Sequence, residues 1–283
     1  MKLGFLTGYS PERVEFAQSA GFTCLELAAG PGSPLDPANI SERLAEIKNT
    51  LADHGMAVSA LACYMNHFEP GREEEYAKYF QSILKLAPKL NCSVVATMTG
   101  CTPESQKSGD ISQSLDAFKA TWTEHARVAE GNGVKIAFEN WPGGHPSPLL
   151  INIAVSPRAW EQMFDAVPSP ALGLEYDPSH LARLQIDYLA PIRRFVNRIH
   201  HVHAKDTTVY PDVLDEVGYI GQGWWHYSIP SRGMVEWPDF FRELKAAGYK
   251  GDVVIEHEDP AFEGERFDNG LRLGYSYLSQ LIY

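Results

Sequence analysis

Cations are scarce in this chain: 24 Lys and Arg stand against 36 Asp and Glu, a formal net charge of -12. A nucleic-acid surface needs clustered Lys and Arg, so this balance excludes DNA or RNA as the expected partner and gives no attraction to an anionic membrane. Long hydrophobic runs are also missing. No apolar stretch reaches the roughly 18 residues needed to span a bilayer, and residues 1–10 lack both a basic n-region and a long apolar h-region, so no secretory signal is expected. Cysteine is sparse. Cys24, Cys63, Cys92 and Cys101 lie far apart with no Cys-x-x-Cys pair, which reads as reduced, buried thiols in a soluble cytoplasmic protein. No Gly-rich dinucleotide loop follows the first strand-like run, which argues against a doubly wound open sheet.

What is present is an alternation. The hydrophobic fraction is 44% and the aromatic fraction 11%, enough for a sizeable core. Strand-like runs cover 2–8, 23–27, 57–63, 92–100, 134–140, 172–177, 199–206 and 252–258. Helical spacing covers 11–20, 40–54 with Ser41 as a plausible N-cap, 73–90, 114–130, 156–166, 188–196, 237–247 and 265–281. Between 207 and 236 lies a long polar and aromatic loop. Eight strand–helix units without a linker or composition break predict one (β/α)8 TIM-barrel domain over residues 1–283. Glu26, an acid amid apolar neighbours, reads as a structural partner rather than a catalyst.

In such barrels the reactive groups stand at the C-terminal ends of the strands. The segment Ile199–Asp206 sends His201, His203 and Lys205 to one face and His200, Val202 and Ala204 to the other. That does not make an ordinary core; it suggests a strand whose last inward residues meet a ligand. Strand five ends in Glu139-Asn140, strand six in Glu175-Tyr-Asp177-Pro-Ser-His180, and strand eight in Glu256-His257-Glu258. Glu139, Asp177, His203 and Glu256 together form a mixed oxygen and nitrogen set. Its chemistry suits Mn²⁺, Mg²⁺ or Co²⁺ and tolerates Zn²⁺.

These motifs resemble the xylose-isomerase-like TIM-barrel superfamily, and within it the sugar phosphate isomerase/epimerase (AP endonuclease family 2) group. The resemblance implies that Glu139, Asp177, His203 and Glu256 ligate one divalent ion, with Mn²⁺ the first expectation. His180 would be a nearby substrate group. It further implies a metal-dependent isomerase or epimerase that removes a proton α to a sugar carbonyl, Glu139 and Glu256 acting from opposite walls as acid and base. A homo-oligomer is expected by the same analogy. Lys205 either supports the oxyanion or pairs with Asp206 or a barrel carboxylate.

Two departures from the ketohexose 3-epimerase pattern stand out. The substrate-holding glutamate expected six positions after Glu139 is His145, and the arginine expected six after His203 is Val209. His145, on a Pro- and Gly-constrained loop, is a candidate general base because imidazole titrates near neutrality. The ending His203-Ala-Lys205-Asp206 is nearer to inosose dehydratase, and with His145 the chain also resembles the lyases that split C- or O-linked 3-keto-glycosides, which pair with a small second subunit in the C-glycoside case. His67 is expected to line the pocket. Trp225 is a candidate for stacking on a sugar or for a subunit contact, and Arg232 is the one obvious loop cation, thin provision for a phosphate. A phosphodiesterase of the AP-endonuclease kind would need further His and Asp ligands and a basic groove, and a non-catalytic sugar binder would have no use for two flanking carboxylates.

Overall fold

Strand runs too short to be stable alone are secured here by closing on one another. The computed structural model describes residues 1–143 and 151–282. Its barrel strands are β1 (Leu3–Thr7), β2 (Cys24–Ala28), β3 (Ala57–Ala62), β4 (Val94–Thr97), β5 (Lys135–Glu139), β6 (Leu172–Tyr176) and β7 (Ile199–Ala204). Two further strands, β8 (Asp206–Val209) and β9 (Trp225–Ser228), form a separate antiparallel pair, and β10 (Val253–Ile255) completes the barrel. The closed order is β1-β10-β7-β6-β5-β4-β3-β2, all neighbours parallel. This is the (β/α)8 TIM barrel that the alternation predicts.

One device starts several of the helices. Ser10-Pro11, Thr102-Pro103, Ser156-Pro157 and Asp177-Pro178 each place a side-chain oxygen at the N-cap and proline at the first helical position. Proline costs nothing there because its missing N–H would have had no intrahelical partner. Gly21, with φ 93°, closes the first of these helices in the left-handed conformation.

The apolar core lies between barrel and helices, where Trp122, Trp160, Trp237, Phe5, Phe80, Phe138 and Tyr176 are fully buried. Burying each such side chain contributes roughly 1.5–3 kcal/mol. A small separate cluster, Ala60, Val94, Ala96 and Ala137, packs with Tyr64. The short side chains of these residues leave room within the barrel that larger ones would fill.

Three expected elements differ. The 40–54 helix is split into a 3-10 turn, Ile40–Glu42, and a helix, Leu44–Asp53, whose N-cap is Arg43 without a side-chain bond, not Ser41. Buried Asp36 organises this entry instead, accepting from Gly32 N–H and Ala38 N–H at 2.7 and 3.0 Å. The 73–90 helix is α only to Leu86 and continues as a 3-10 turn through Pro88, which has no N–H to donate. The 207–236 loop is largely structured: β8 and β9 pair, and a helix spans Pro211–Val217. A single residue, Lys205, separates β8 from β7, so the sequence reads as one strand.

Among the helix-facing aromatics sit two histidines. His67 and His125 lie 5.5 Å apart between Phe80 and Trp122, both buried. Neither ring nitrogen of His125 has a hydrogen-bond partner. Burial lowers its pKa to about 4 from the ordinary 6.5, and burial together with His125 holds His67 well below its usual range. The unfolded chain therefore binds protons that the native state refuses. The stability this neutral pair carries is complete above the unfolded pKa and is lost as pH falls through 6.5 towards 4, with His125 alone accounting for up to about 3 kcal/mol. His125→Phe is expected to leave the urea midpoint at pH 8 unchanged or higher and to flatten its decline between pH 6.5 and 4. A decline as steep as that of the wild type would contradict this assignment.

Candidate active site

Side chains alternate along a strand, so residues at the same parity near a strand end share the barrel mouth. Glu139 is the last residue of β5, Asp177 and Glu256 follow β6 and β10 directly, and His203 lies near the end of β7. These four strands are consecutive around the barrel. Oxygens of Glu139, Asp177 and Glu256 and one ring nitrogen of His180 fall within 4.8 Å of one another. His203 Nδ1 lies 3.1 Å from Glu256 Oε2 and 3.5 Å from Glu139 Oε1. Three of the four residues singled out as metal ligands meet here with His180, while His203 borders Glu139 and Glu256 from the side and shares its ligand atoms with a second group described below.

Amides hold the strand ends. Asn140 Nδ2 donates to the Asp177 carbonyl at 2.9 Å while its Oδ1 accepts the Asp177 N–H at 2.8 Å. Asn152 Nδ2 donates to the carbonyls of Glu139 and Trp141 at 2.7 and 3.0 Å. Asp177 Oδ1 caps the Pro178–Arg183 helix through Ser179 N–H at 2.8 Å, which fixes its rotamer and leaves buried Oδ2 with no hydrogen bond. His180 and Lys205 stand 3.3 and 3.4 Å from that oxygen.

Buried charges must be paired or ligated. Lys205 is buried, with Nζ 2.5 Å from Glu256 Oε2 and 3.0 Å from Glu258 Oε2. Against burial, Glu256 and then Asp177 keep this ammonium charged well above the ordinary lysine range. Lys205 and His203 in turn outweigh burial and hold Glu256 well below the usual carboxylate range. Glu139 goes the other way: burial, then the Glu256 charge, raise it to about 7. Burial lowers His180 to about 3, so its ring is neutral. A divalent cation fits this set, because the buried carboxylates of Glu139 and Asp177, the half-buried Glu256 and an imidazole converge there, and Asp177 Oδ2 has no hydrogen bond.

The remaining expected residues fall as follows. Lys205 takes the barrel carboxylates rather than Asp206, whose oxygens accept from Thr207 N–H, Val235 N–H and Trp237 Nε1. His180 Nδ1 meets the Tyr227 hydroxyl at 2.8 Å. Trp225 carries the Arg183 guanidinium 4.0 Å above its ring and touches Tyr227, so it sits in the roof near His180. Arg232 Nε lies 3.2 Å from Asp259 Oδ2, away from the strand-end acids in pairing. His67 is in the aromatic cluster described above, its Nε2 3.2 Å from Thr97 Oγ1. His145 lies outside the described residues.

A second buried group escaped the sequence reading. Glu26, Glu175, His201 and His203 also offer ligand atoms within 4.8 Å of one another, and the Tyr64 hydroxyl donates to Glu175 at 2.6 Å. Parity could have found it, since Glu175 stands two before Asp177 and His201 two before His203.

Comparison with known proteins agrees with this architecture. The model of the xylose isomerase-like TIM barrel family matches residues 14–277. The chain belongs to that family. An uncharacterized protein, YfiH of Bacillus subtilis, is 28% identical over 100% of this chain and 99% of its own. Inosose dehydratase of Klebsiella pneumoniae strain 342 is 26% identical over 86% of this chain and 80% of its own. A solved structure described as the IOLI protein with a binding zinc atom superposes with a TM-score of 0.76 at 18% identity, over 100% of this chain and 98% of that one. Sugar epimerases and dehydratases are among the family's neighbours.

Removing the buried ammonium should expose the charge problem. Lys205→Met is expected to destabilise the metal-free protein by about 3–5 kcal/mol, because carboxylates are left without their partner. Urea denaturation in the presence of a chelator measures this, and an unchanged midpoint would show that Lys205 neutralises nothing.

Proposed function

We propose that the protein is a divalent-metal-dependent isomerase or epimerase that abstracts a proton α to the carbonyl of a small, unphosphorylated sugar. The observation that carries this is the pair Glu139 and Glu256: oxygens of the two, from different walls of the barrel, meet within 4.8 Å in one strand-end cluster, where burial and the Glu256 charge raise Glu139 while Lys205 and His203 hold Glu256 low. Environments that push two carboxylates apart mark the acid and the base. Glu139, Asp177, His203 and Glu256 would hold the cation, with Mn²⁺ the first candidate and Mg²⁺, Co²⁺ or Zn²⁺ also suited to the donors. When bound, such an ion supplies Lewis-acid polarisation of the sugar carbonyl.

The chain's own groups do the rest. Glu256, kept ionised by Lys205, takes the proton beside the carbonyl. Glu139, three strands away around the barrel, holds or returns a proton near neutral pH. Neutral His180, fixed by Tyr227, is a hydrogen-bonding group for a substrate hydroxyl. Engagement of Arg232 with Asp259 supports a substrate without phosphate.

A second reading has its own support. The first step of a β-eliminating keto-sugar lyase or dehydratase is the same proton abstraction, and the curated relatives include inosose dehydratases. Val209 where the 3-epimerase pattern has arginine also favours elimination. His145 as base belongs to this reading, as does a small partner subunit; a homo-oligomer goes with the first.

Elemental analysis of the purified protein should find about one divalent ion per chain. Glu139→Gln and Glu256→Gln should each abolish turnover, and solvent deuterium should enter keto-sugar substrates with the wild type alone. Exchange with recovery of an isomer supports the first reading, and release of water or an aglycone supports the second. A fully active, metal-replete Glu256→Gln protein would sink both.

A further inference from the structure

Glu26, Glu175 and His201 are buried inside the barrel and have no role in the chemistry above. Their placement is nonetheless specific. Strand pairing is regular around most of the barrel but slips at these acids. Between Leu25 and Glu26 an extra residue, Ser59, enters β3, and between Leu174 and Glu175 an extra residue, His200, enters β7. Bulges re-aim side chains, and in parallel pairs they are rare. The second one needs Gly173, where a Cβ would come within 2.2 Å of the Arg198 carbonyl oxygen and 2.3 Å of the His200 ring. On the other side of the barrel, Ala60, Ala96 and Ala137 leave space for Tyr64 to reach Glu175.

What these acids meet is the far side of His203. Its Nδ1 faces Glu256 and Glu139, while its Nε2 lies 2.8 Å from Glu26 Oε2 and 3.2 Å from Glu175 Oε1. His201 Nδ1 and Tyr64 occupy Glu175 at 2.8 and 2.6 Å. Both carboxylates here already have donors, from His203, His201 and Tyr64, while buried His201 Nε2 has no hydrogen-bond partner.

We infer that Glu26, backed by Glu175, is a positioning residue: it holds the Nε2–H of His203 and so presents Nδ1 as the lone pair towards Glu139, Asp177 and Glu256. This rests on the metal reading given above. A ring nitrogen that ligates metal gains basicity and a fixed orientation when its other N–H is held by a carboxylate. Glutamine at position 26 can offer an amide N–H to Nε2 and thereby favour the opposite tautomer.

The test uses the full-length protein, zinc-loaded and labelled with ¹⁵N-histidine, with parallel chelator competition for Zn²⁺ and Mn²⁺. Wild type should bind one ion, with His203 attached through Nδ1 and protonated at Nε2. Glu26→Gln and Glu175→Gln should weaken binding by about 10–100-fold and perturb the His203 Nε2–H signal, while Glu26→Asp should recover part of the affinity. A merely structural role would lower the melting temperature and leave affinity and the His203 signal alone, which overturns the inference but not the proposed function. Two ions in wild type and one in the variants would make the lower group a metal site and overturn it as well. Wild type that binds no metal would remove the functional reading and this inference together. Should the variants not fold, the wild-type spectrum still decides, since His203 bound through Nε2 is incompatible with the inference.

Discussion

Charge buried inside a barrel has to be neutralised locally, because burial withdraws it from solvent. Glu26, Glu139, Glu175, Asp177 and Glu256 all point inwards, and two side chains from β7 and its end, His203 and Lys205, stand among them. His203 is central: one ring nitrogen addresses the strand-end acids and the other the acids beneath. Burial outlines the same division, with Glu175 held at about 2 against burial by His203 and His201, and Glu26 raised by burial and by the Glu175 charge. Two adjacent carboxylates with one imidazole between them behave as a coupled unit.

This constraint explains features that the fold alone does not require. A barrel interior is ordinarily filled with branched apolar residues. Here part of it is alanine and part is charged, and the apolar energy has moved to the layer between strands and helices, where the tryptophans sit. The price in stability of the inner acids is offset there. The bulges at Ser59 and His200 belong to the same arrangement, since each shifts a strand by one residue beside an acid that must face inwards.

How much of this was legible follows from the period of each signal. Strand–helix alternation and the strand-end acids are local patterns, so the barrel and the convergence of Glu139, Asp177 and Glu256 could be read from order alone, whereas the place of His203 between two acid groups could not. Partners distant in sequence could not. Tyr64 reaches Glu175 across 111 positions, and His203 reaches Glu26 across 177. The fate of His67 was hidden because its aromatic neighbours Phe80 and Trp122 come from two different helices. Lys205 was read with two possible partners. The choice fell to the barrel carboxylates because Asp206 turns to the backbone of Val235 and the indole of Trp237. The structured 207–236 segment was obscured by continuity with β7.

The division of labour that results is between floor and roof. On the function proposed above, the barrel strand ends would supply the acid and the base, held by amide clamps on the backbone and by ion pairs among the side chains. The roof comes from the β8–β9 pair: Tyr227 meets His180 and the face of its ring lies 4.4 Å from Lys205, while Trp225 stacks with Arg183. Arg183 also donates to the Gly143 carbonyl at 2.7 Å, which ties this roof to the start of the loop after β5. On that proposal, an enediolate formed below would be either reprotonated or relieved by expelling a neighbouring group, and the floor would serve both. The outcome would then be set by how the roof orients the substituent beyond the carbonyl and by whether a proton donor stands beside it. On this reasoning, substitutions in the β8–β9 roof should bear on the choice between the two reactions more than substitutions in the floor.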